Sequence, residues 1–279
     1  MAAAGWLALG LHPARAQTPP LRIGITAVIL ADQAAFLSRW AEYLSQRMGA
    51  RVAFVARDEY QPILDLLWAR EIDAAWICGY PYVRYQAQLQ LLAVPVYQGR
   101  PQYQACLIRP RGGEVTVRGW AYLRDKVFAF SDPLSNSGWL VAQGQLGAVG
   151  LSTSDLRRAF FAHGHRNVAE AVAARLADAG SIDGYVWETM RKLGMAAALQ
   201  TEVVWQSPLH GFPPLVARAG AAPEMVDRLR QTLLAMPLDA DGRTLLAGLN
   251  LDGFTTAKPA LFESIRVLAR AVPGSGVSG

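Results

Sequence analysis

From Asp132 to Gly138 the chain reads Asp-Pro-Leu-Ser-Asn-Ser-Gly, two hydroxyls and a side-chain amide just ahead of a helical pattern beginning near Trp139. A helix start exposes backbone N–H groups and the positive end of the helix dipole, so Ser135, Asn136 and Ser137 stand where a small anion would be held. Either serine serves equally well as the cap of its own helix, and one residue can do both. Two thiols are present, Cys78 and Cys106. They could pair in an oxidising compartment if their Cα atoms lie within about 7 Å, but two cysteines make no disulfide framework. His163-Gly164-His165 offers two imidazoles without an assured third ligand, a pattern as readily structural as metal-binding. Glu188, after Trp187, could accept a hydrogen bond from a ligand or support the first turn of a helix. There is no phosphate loop of the nucleotide-enzyme kind, no nucleophile elbow, no metalloprotease helix and no paired acid and base, so neither an enzyme nor a cofactor is expected.

Alternating strands and helices must position these groups. Leu21 to Ala27 is an apolar strand, followed by a helix with Phe36, Trp40, Tyr43 and Leu44 on one face, which Gly49 stops. The strand Arg51 to Ala56, a helix carrying Ile63, Leu64, Leu67 and Trp68, and the continuously apolar Ile72 to Ile77 complete a parallel βαβ pattern. The same grammar restarts at Val127 to Phe130, with a helix from about Trp139, a strand near Ala159 to Ala162, a helix over Val168 to Leu176 and a strand over Ile182 to Val186. Glu71-Ile72-Asp73 and Ser181-Ile182-Asp183 fall at matching places in the two halves. Tyr103 to Arg109 and Val203 to Arg218, rich in β formers, are expected to cross between two lobes. Lobe 1 would comprise residues 17–104 and 205–279, with helices Pro223 to Met236 and Pro259 to Ala271 packing back on it; lobe 2 would comprise residues 105–204. The tail from Pro273 is Gly/Ser-rich and expected to be disordered. Ligands of open α/β sheets bind beyond the carboxyl ends of the strands, which brings forward Thr26-Ala27-Val28, Cys78, the Ser135 segment and Glu188.

The 279 residues carry 27 Lys and Arg against 22 Asp and Glu, a net charge of +5 spread along the chain. Without basic runs interleaved with aromatics, nucleic acid is not an expected partner. Residues 1–16 combine a short apolar run with Ala14-Arg15-Ala16 and are expected to be a cleaved export signal, which places the chain in the periplasm.

Asp73-Ala74-Ala75-Trp76 with Gly79-Tyr80-Pro81-Tyr82-Val83, then Tyr103-Gln104-Ala105-Cys106, then Asp132 to Gly138, together resemble the phosphate/phosphite/phosphonate-binding family of periplasmic proteins, in the right order over nearly the whole chain. The resemblance implies a type II binding protein: two α/β lobes, two crossing strands and a cleft between them. It implies an oxyanion held by Ser135, Ser137 and neighbouring amides, helped by the Thr26 loop (Thr26, Ala27, Val28) and by Tyr60. Where such binders commonly carry Thr in the middle of the triplet, this chain has Asn136. Cys106, on the first crossing strand and expected to face the cleft, adds a likeness to the arsenite-sensing branch. Trivalent arsenic bonds sulfur where phosphate does not, although a lone Cys on a strand is also a common small buried hydrophobe. The leading expectation is therefore an arsenite sensor, with Cys106 on the arsenic and Asn136 completing the pocket, addressing a membrane histidine kinase. The alternative is the binding component of an ABC importer for phosphite, phosphate or phosphonate, whose partner is an ABC permease. Cys78 would be a second ligand, a disulfide partner or inert.

Overall fold

The computed structural model describes residues 19–26, 33–112 and 116–277. The export signal expected over residues 1–16, and Ala27 and Val28, lie outside the described residues.

The first βαβ run is β1 (Leu21–Ile25), α1 (Gln33–Met48), β2 (Val52–Ala56), α2 (Tyr60–Trp68) and β3 (Ala74–Trp76). Its strands pair in parallel, with Ile23 beside Phe54 and Ala74. Strand β3 is buried throughout, as expected of a strand covered on both faces. The helices bring the apolar faces foreseen from their spacing, Phe36, Trp40 and Leu44 from α1 and Ile63, Leu64 and Leu67 from α2, all buried. Trp40 sits among Phe54, Trp76 and Phe254, with ring centroids 4.9, 6.2 and 6.5 Å away. Gly49 ends α1 in the left-handed conformation, φ +61°.

The chain continues through α3 (Gly79–Arg84), β4 (Leu89–Val96), β5 (Gln102–Tyr103) and β6 (Ala105–Pro110). A second βαβ run follows, comprising β7 (Val127–Phe130), α4 (Val141–Ala148), β8 (Arg158–Phe161), α5 (His165–Ala173) and β9 (Ala179–Asp183). After it come α6 (Gly184–Lys192), α7 (Ala196–Leu199), β10 (Thr201–Gln206), β11 (His210–Gly211), β12 (Leu215–Arg218), α8 (Pro223–Ala235), α9 (Ala240–Leu249), β13 (Gly253–Thr255) and α10 (Glu263–Ala271). The strands form two open sheets, a six-stranded one in the order β13-β4-β12-β3-β1-β2 and a five-stranded one in the order β10-β6-β9-β7-β8. Both contain the same parallel core, β3-β1-β2 in one and β9-β7-β8 in the other. The short antiparallel ribbon β5–β11, with His210 beside Tyr103, is where the chain passes between the sheets in each direction. The architecture is the two-lobed α/β fold of type II periplasmic binding proteins.

Three expectations are corrected. The last strand of the second run ends at Asp183, and Gly184–Val186 opens α6, so Trp187 and Glu188 stand on a helix and not at a strand end. Asp183 accepts from Tyr185 N at 2.8 Å and Val186 N at 3.3 Å, and this cap starts the helix. The two Ile-Asp stretches are not equivalent either, because Asp73 precedes β3 whereas Asp183 ends β9. The structural counterparts are Ile77-Cys78-Gly79-Tyr80 and Ile182-Asp183-Gly184-Tyr185, with Cys78 and Asp183 each in the N-cap position of the helix that follows. Finally, the tail is ordered through residue 277. Ser275 is buried, donates to the Ala269 carbonyl at 2.5 Å and accepts from the Tyr80 hydroxyl at 2.5 Å.

Candidate functional site

The carboxyl ends of β1, β3, β7 and β9 converge where the lobes meet. Asp132, just past β7, builds the turn: its Oδ1 accepts from Leu134 N at 2.6 Å and its Oδ2 from Tyr60 N, across the cleft, at 3.2 Å. A wide helical turn over Asn136–Leu140 then leads into α4. Ser135 caps it, its Oγ accepting from Gly138 N at 2.9 Å. Gly138 is required because a Cβ there would lie 1.7 Å from Ser131 Oγ. The result is a fully buried cradle of Ser131, Ser135, Asn136 and Ser137.

Three oxygens of that cradle, Ser131 Oγ, Asn136 Oδ1 and Ser137 Oγ, are buried and meet no hydrogen-bond partner among the described residues. Buried polar atoms left unpaired cost about 1–3 kcal/mol each, so three on one turn mark a place where something binds. Asn136 Nδ2 donates to the Tyr103 hydroxyl at 2.9 Å. Ser137 Oγ stands near the same tyrosine without reaching hydrogen-bond geometry. Its carbonyl accepts from Ser181 Oγ at 2.6 Å, which fixes the turn to β9.

Lobe 1 closes the site from the other side. Asn136 N donates to Cys78 Sγ at 3.1 Å. Tyr60 is buried in the same seam, and Thr26 Oγ1 donates to the Trp76 carbonyl at 3.4 Å. Tyr80 stacks on Trp139, centroids 5.8 Å apart. Burial raises the acid groups here toward their neutral forms. Cys78 is pushed up to about 11, Asp183 to about 7, and the phenols of Tyr60 and Tyr103 well above their ordinary value. Spaces between the lobes measure about 10 Å³ beside Tyr60, Ser131 and Asp132, about 70 Å³ beside Tyr97, Tyr103, Gly184 and Glu188, and about 340 Å³ beside Tyr97, Glu188, Lys192 and Asn250. A larger cavity, about 560 Å³, lies at the opposite strand ends near Arg22 and Asp73, away from this turn.

Ser135, Asn136, Ser137, Tyr60 and Thr26 therefore lie along this seam, with Ser135 occupied by its helix. Cys106 has other company. It is buried on β6, receives a long contact from Gln206 Nε2 at 3.8 Å, and its Sγ lies 3.0 Å from where a Cβ on Gly184 would stand. Its thiol is pushed up to about 12 by burial. Both cysteines are free, so no disulfide joins them. Glu188 Oε2 accepts from the Tyr97 hydroxyl and from Gln98 Nε2, 3.1 Å away. His165 is buried and neutral, held down to about 3 by burial, with Nδ1 accepting from Asp183 N at 3.2 Å. His163 pairs instead with Glu59 at 3.3 Å, so the two imidazoles serve different partners. Sequence reasoning passed over Tyr103, Ser131 and Asp183 as members of the site and left Cys78 as a second ligand, a disulfide partner or inert. The signal for Cys78 and Asp183 was the shared Ile-x-Gly-Tyr pattern after each third strand.

Residues 23–262 match the family described as ABC transporter, phosphonate, periplasmic substrate-binding protein. The phosphate-import protein PhnD of Mycolicibacterium smegmatis is 28% identical over 200 residues, 67% of this chain and 62% of that protein, so the match spans less than two thirds of that relative's length. The phosphonates-binding periplasmic protein of Escherichia coli K12 is 24% identical over 269 residues, 93% of this chain and 79% of that one. Among solved structures, a binding protein component of an ABC phosphonate transporter from Pseudomonas aeruginosa superposes with a TM-score of 0.84 at 22% identity, over 92% of this chain and 87% of that one. No helix among the described residues is long and apolar enough to cross a membrane. With the family match running from β1 to the start of α10 and the two-lobed fold agreeing with it, this chain belongs to the periplasmic substrate-binding proteins of phosphonate ABC transporters.

Proposed function

We propose that this protein captures a small phosphorus oxyanion, phosphate, phosphite or a phosphonate, between its lobes and presents it to an ABC permease. The observation that carries the reading is the trio of unpartnered buried oxygens at the Asn136–Leu140 helix start. The hydroxyls of Ser131 and Ser137 are donors to an oxyanion, and Asn136 Oδ1 is an acceptor for a P–OH. The positive end of the turn's dipole adds to them. Residues 17–104 with 205–279, and 105–204, are the two bodies that would move, with the β5–β11 ribbon between them. Contacts made only when the lobes meet would let ligand select the closed form. The family and the named relatives support an importer.

The arsenite-sensing reading has less support. Cys106 is packed under the start of α6 with its thiol kept protonated, and the sulfur beside the cradle belongs to Cys78. The curated relatives are a phosphate-import protein and a phosphonates-binding periplasmic protein. Calorimetry of the reduced protein with phosphate, phosphite, methylphosphonate and arsenite tests the choice. A phosphorus oxyanion is expected to bind in the micromolar range or tighter. No heat from any of them overturns the proposal, and binding of arsenite alone, abolished in Cys106→Ser, replaces it with the sensor.

A further inference from the structure

The two lobes place different side chains at equivalent points of their architecture. In lobe 2 the N-cap after the third strand is Asp183, which bonds its own helix through Tyr185 N and Val186 N. In lobe 1 it is Cys78, whose sulfur has the Gly79 and Tyr80 N–H groups near it without completing a cap bond to α3. Its sulfur instead reaches across the cleft to Asn136 N, 3.1 Å away. That N–H belongs to the same turn as the unpartnered Asn136 Oδ1 and Ser137 Oγ, both fully buried. The flanking glycine explains the approach. A Cβ on Gly79 would lie 2.5 Å from Ile265 Cδ1, so the helix start is pressed tightly into lobe 1 and Cys78 marks its outer edge.

We propose that Cys78 is the lobe 1 wall of the oxyanion site, in contact with the bound anion, so that occupancy of the site and covalent modification of this thiol exclude one another. The inference rests on the oxyanion reading above. A bound anion takes the Asn136 N–H that sulfur accepts here, and the S–H, a weak donor, turns toward an anion oxygen. Burial favours the neutral thiol, and neutrality is what the position requires. The Asp found at the equivalent place in lobe 2 would set a negative charge against the ligand, whereas a thiol holds the wall without one. Reaction at Cys78 must proceed through an opened form, because the sulfur is buried when the lobes meet.

The test uses the reduced, full-length protein and methyl methanethiosulfonate. The Cys78 thiolate attacks the reagent's divalent sulfur and expels methanesulfinate, its proton passing to solvent and a methyl disulfide remaining on the cysteine. Peptide mass spectrometry follows Cys78 and Cys106 separately, so no substitution is needed. The ligand is whichever of phosphate, phosphite or methylphosphonate binds in calorimetry. At 100 times its Kd the ligand-free fraction is about 1%, so labelling of Cys78 should slow by about 100-fold. Protein already labelled at Cys78 should show no oxyanion heat and regain it on reduction. A labelling rate indifferent to saturating ligand overturns the proposal, as does parental affinity in the labelled protein. Two variants separate contact from bystander shielding: Cys78→Ser should keep affinity within about 10-fold, and Cys78→Asp should lose it while keeping the parental circular-dichroism spectrum. Equal affinities in the two also overturn it. If no phosphorus oxyanion binds the parent protein, the failure is that of the proposed function, which is then visible before any labelling begins.

Discussion

At the scale of single residues, the Ser-Asn-Ser-Gly turn divides its labour. Ser135 Oγ is committed to Gly138 N and so belongs to the fold, whereas Ser137 Oγ has no partner among the described residues and on the proposed function is left for the ligand. Ser135→Ala should cost about 1 kcal/mol of stability, the usual worth of an N-cap, read as a lower midpoint in urea. Ser137→Ala should leave that midpoint unchanged or slightly higher, since it removes a buried unpaired hydroxyl, while weakening oxyanion binding by about 1.5–3 kcal/mol, the worth of a hydrogen bond to a charged group. Calorimetry and chemical denaturation on the two variants check both. A Ser137→Ala protein that binds as the parent does would remove this hydroxyl from the site. The turn stood out in the sequence because hydroxyls, an amide and a glycine gather directly after an apolar strand, a pattern that serves a helix cap as readily as an anion. Which thiol faces it was not legible. Cys106 looked cleft-facing from its place on a crossing strand, but Cys78 meets Asn136 through packing between segments 58 residues apart.

At the scale of elements, the start of α6 shows how a local signal was missed and what it does. Gly184-Tyr185-Val186-Trp187 has the apolar, aromatic content of a strand, yet Asp183 caps two backbone N–H groups and Gly184 permits an approach in which a Cβ would meet Gln104 O at 2.6 Å. A tertiary contact therefore overrides strand propensity. Strand β4 escaped for a related reason: it enters its sheet antiparallel, outside the βαβ alternation, and is recognised only by its partners β12 and β13. Asp183 has a consequence for pH. Buried, its carboxyl is raised to about 7 from an ordinary 3.8. The folded state thus holds a proton that the unfolded chain releases, and this group's contribution to stability is fully present below pH 3.8 and lost as pH rises through about 7. Asp183→Asn keeps a carbonyl oxygen for the helix cap and removes the titration. Because His165 and His210, both held neutral by burial, act in the opposite direction at acid pH, the check is the difference between variant and parent. Across pH 4 to 8 the Tm of the variant should rise relative to that of the parent. A constant difference would show that the carboxyl is ionised throughout.

At the scale of the whole molecule, the two parallel βαβ runs were readable from alternation alone, because each repeats one strand-helix grammar whose apolar faces must be covered, whereas the strand order was not. The way the lobes grip each other was not, since it depends on side chains far apart in sequence. Helix α6 carries most of that grip away from the anion turn. Tyr185 OH donates to the Leu249 carbonyl, Glu188 accepts from Tyr97 and Gln98, and Lys192 Nζ donates to Asn250 Oδ1 at 2.7 Å. Asn250 is suited to this because it closes α9 in the left-handed conformation, φ 55°, and its Nδ2 also reaches Thr189 Oγ1 at 2.9 Å. Glu188, expected to touch ligand, accepts here from Tyr97 and Gln98 across the lobes; as a clasp it would act on binding through the population of closed molecules. Apparent affinity scales with the competent fraction. Tyr97→Phe removes the hydroxyl from the clasp while leaving the anion turn intact, so oxyanion affinity should fall by about 3- to 10-fold if the lost bond is worth the usual 0.5–1.5 kcal/mol. Small-angle scattering should show an expanded ligand-free protein and the parental compact form at saturation. Reduced affinity with no change in the ligand-free envelope would instead place Tyr97 in contact with the ligand, and unchanged affinity would mean that the clasp contributes nothing to closure.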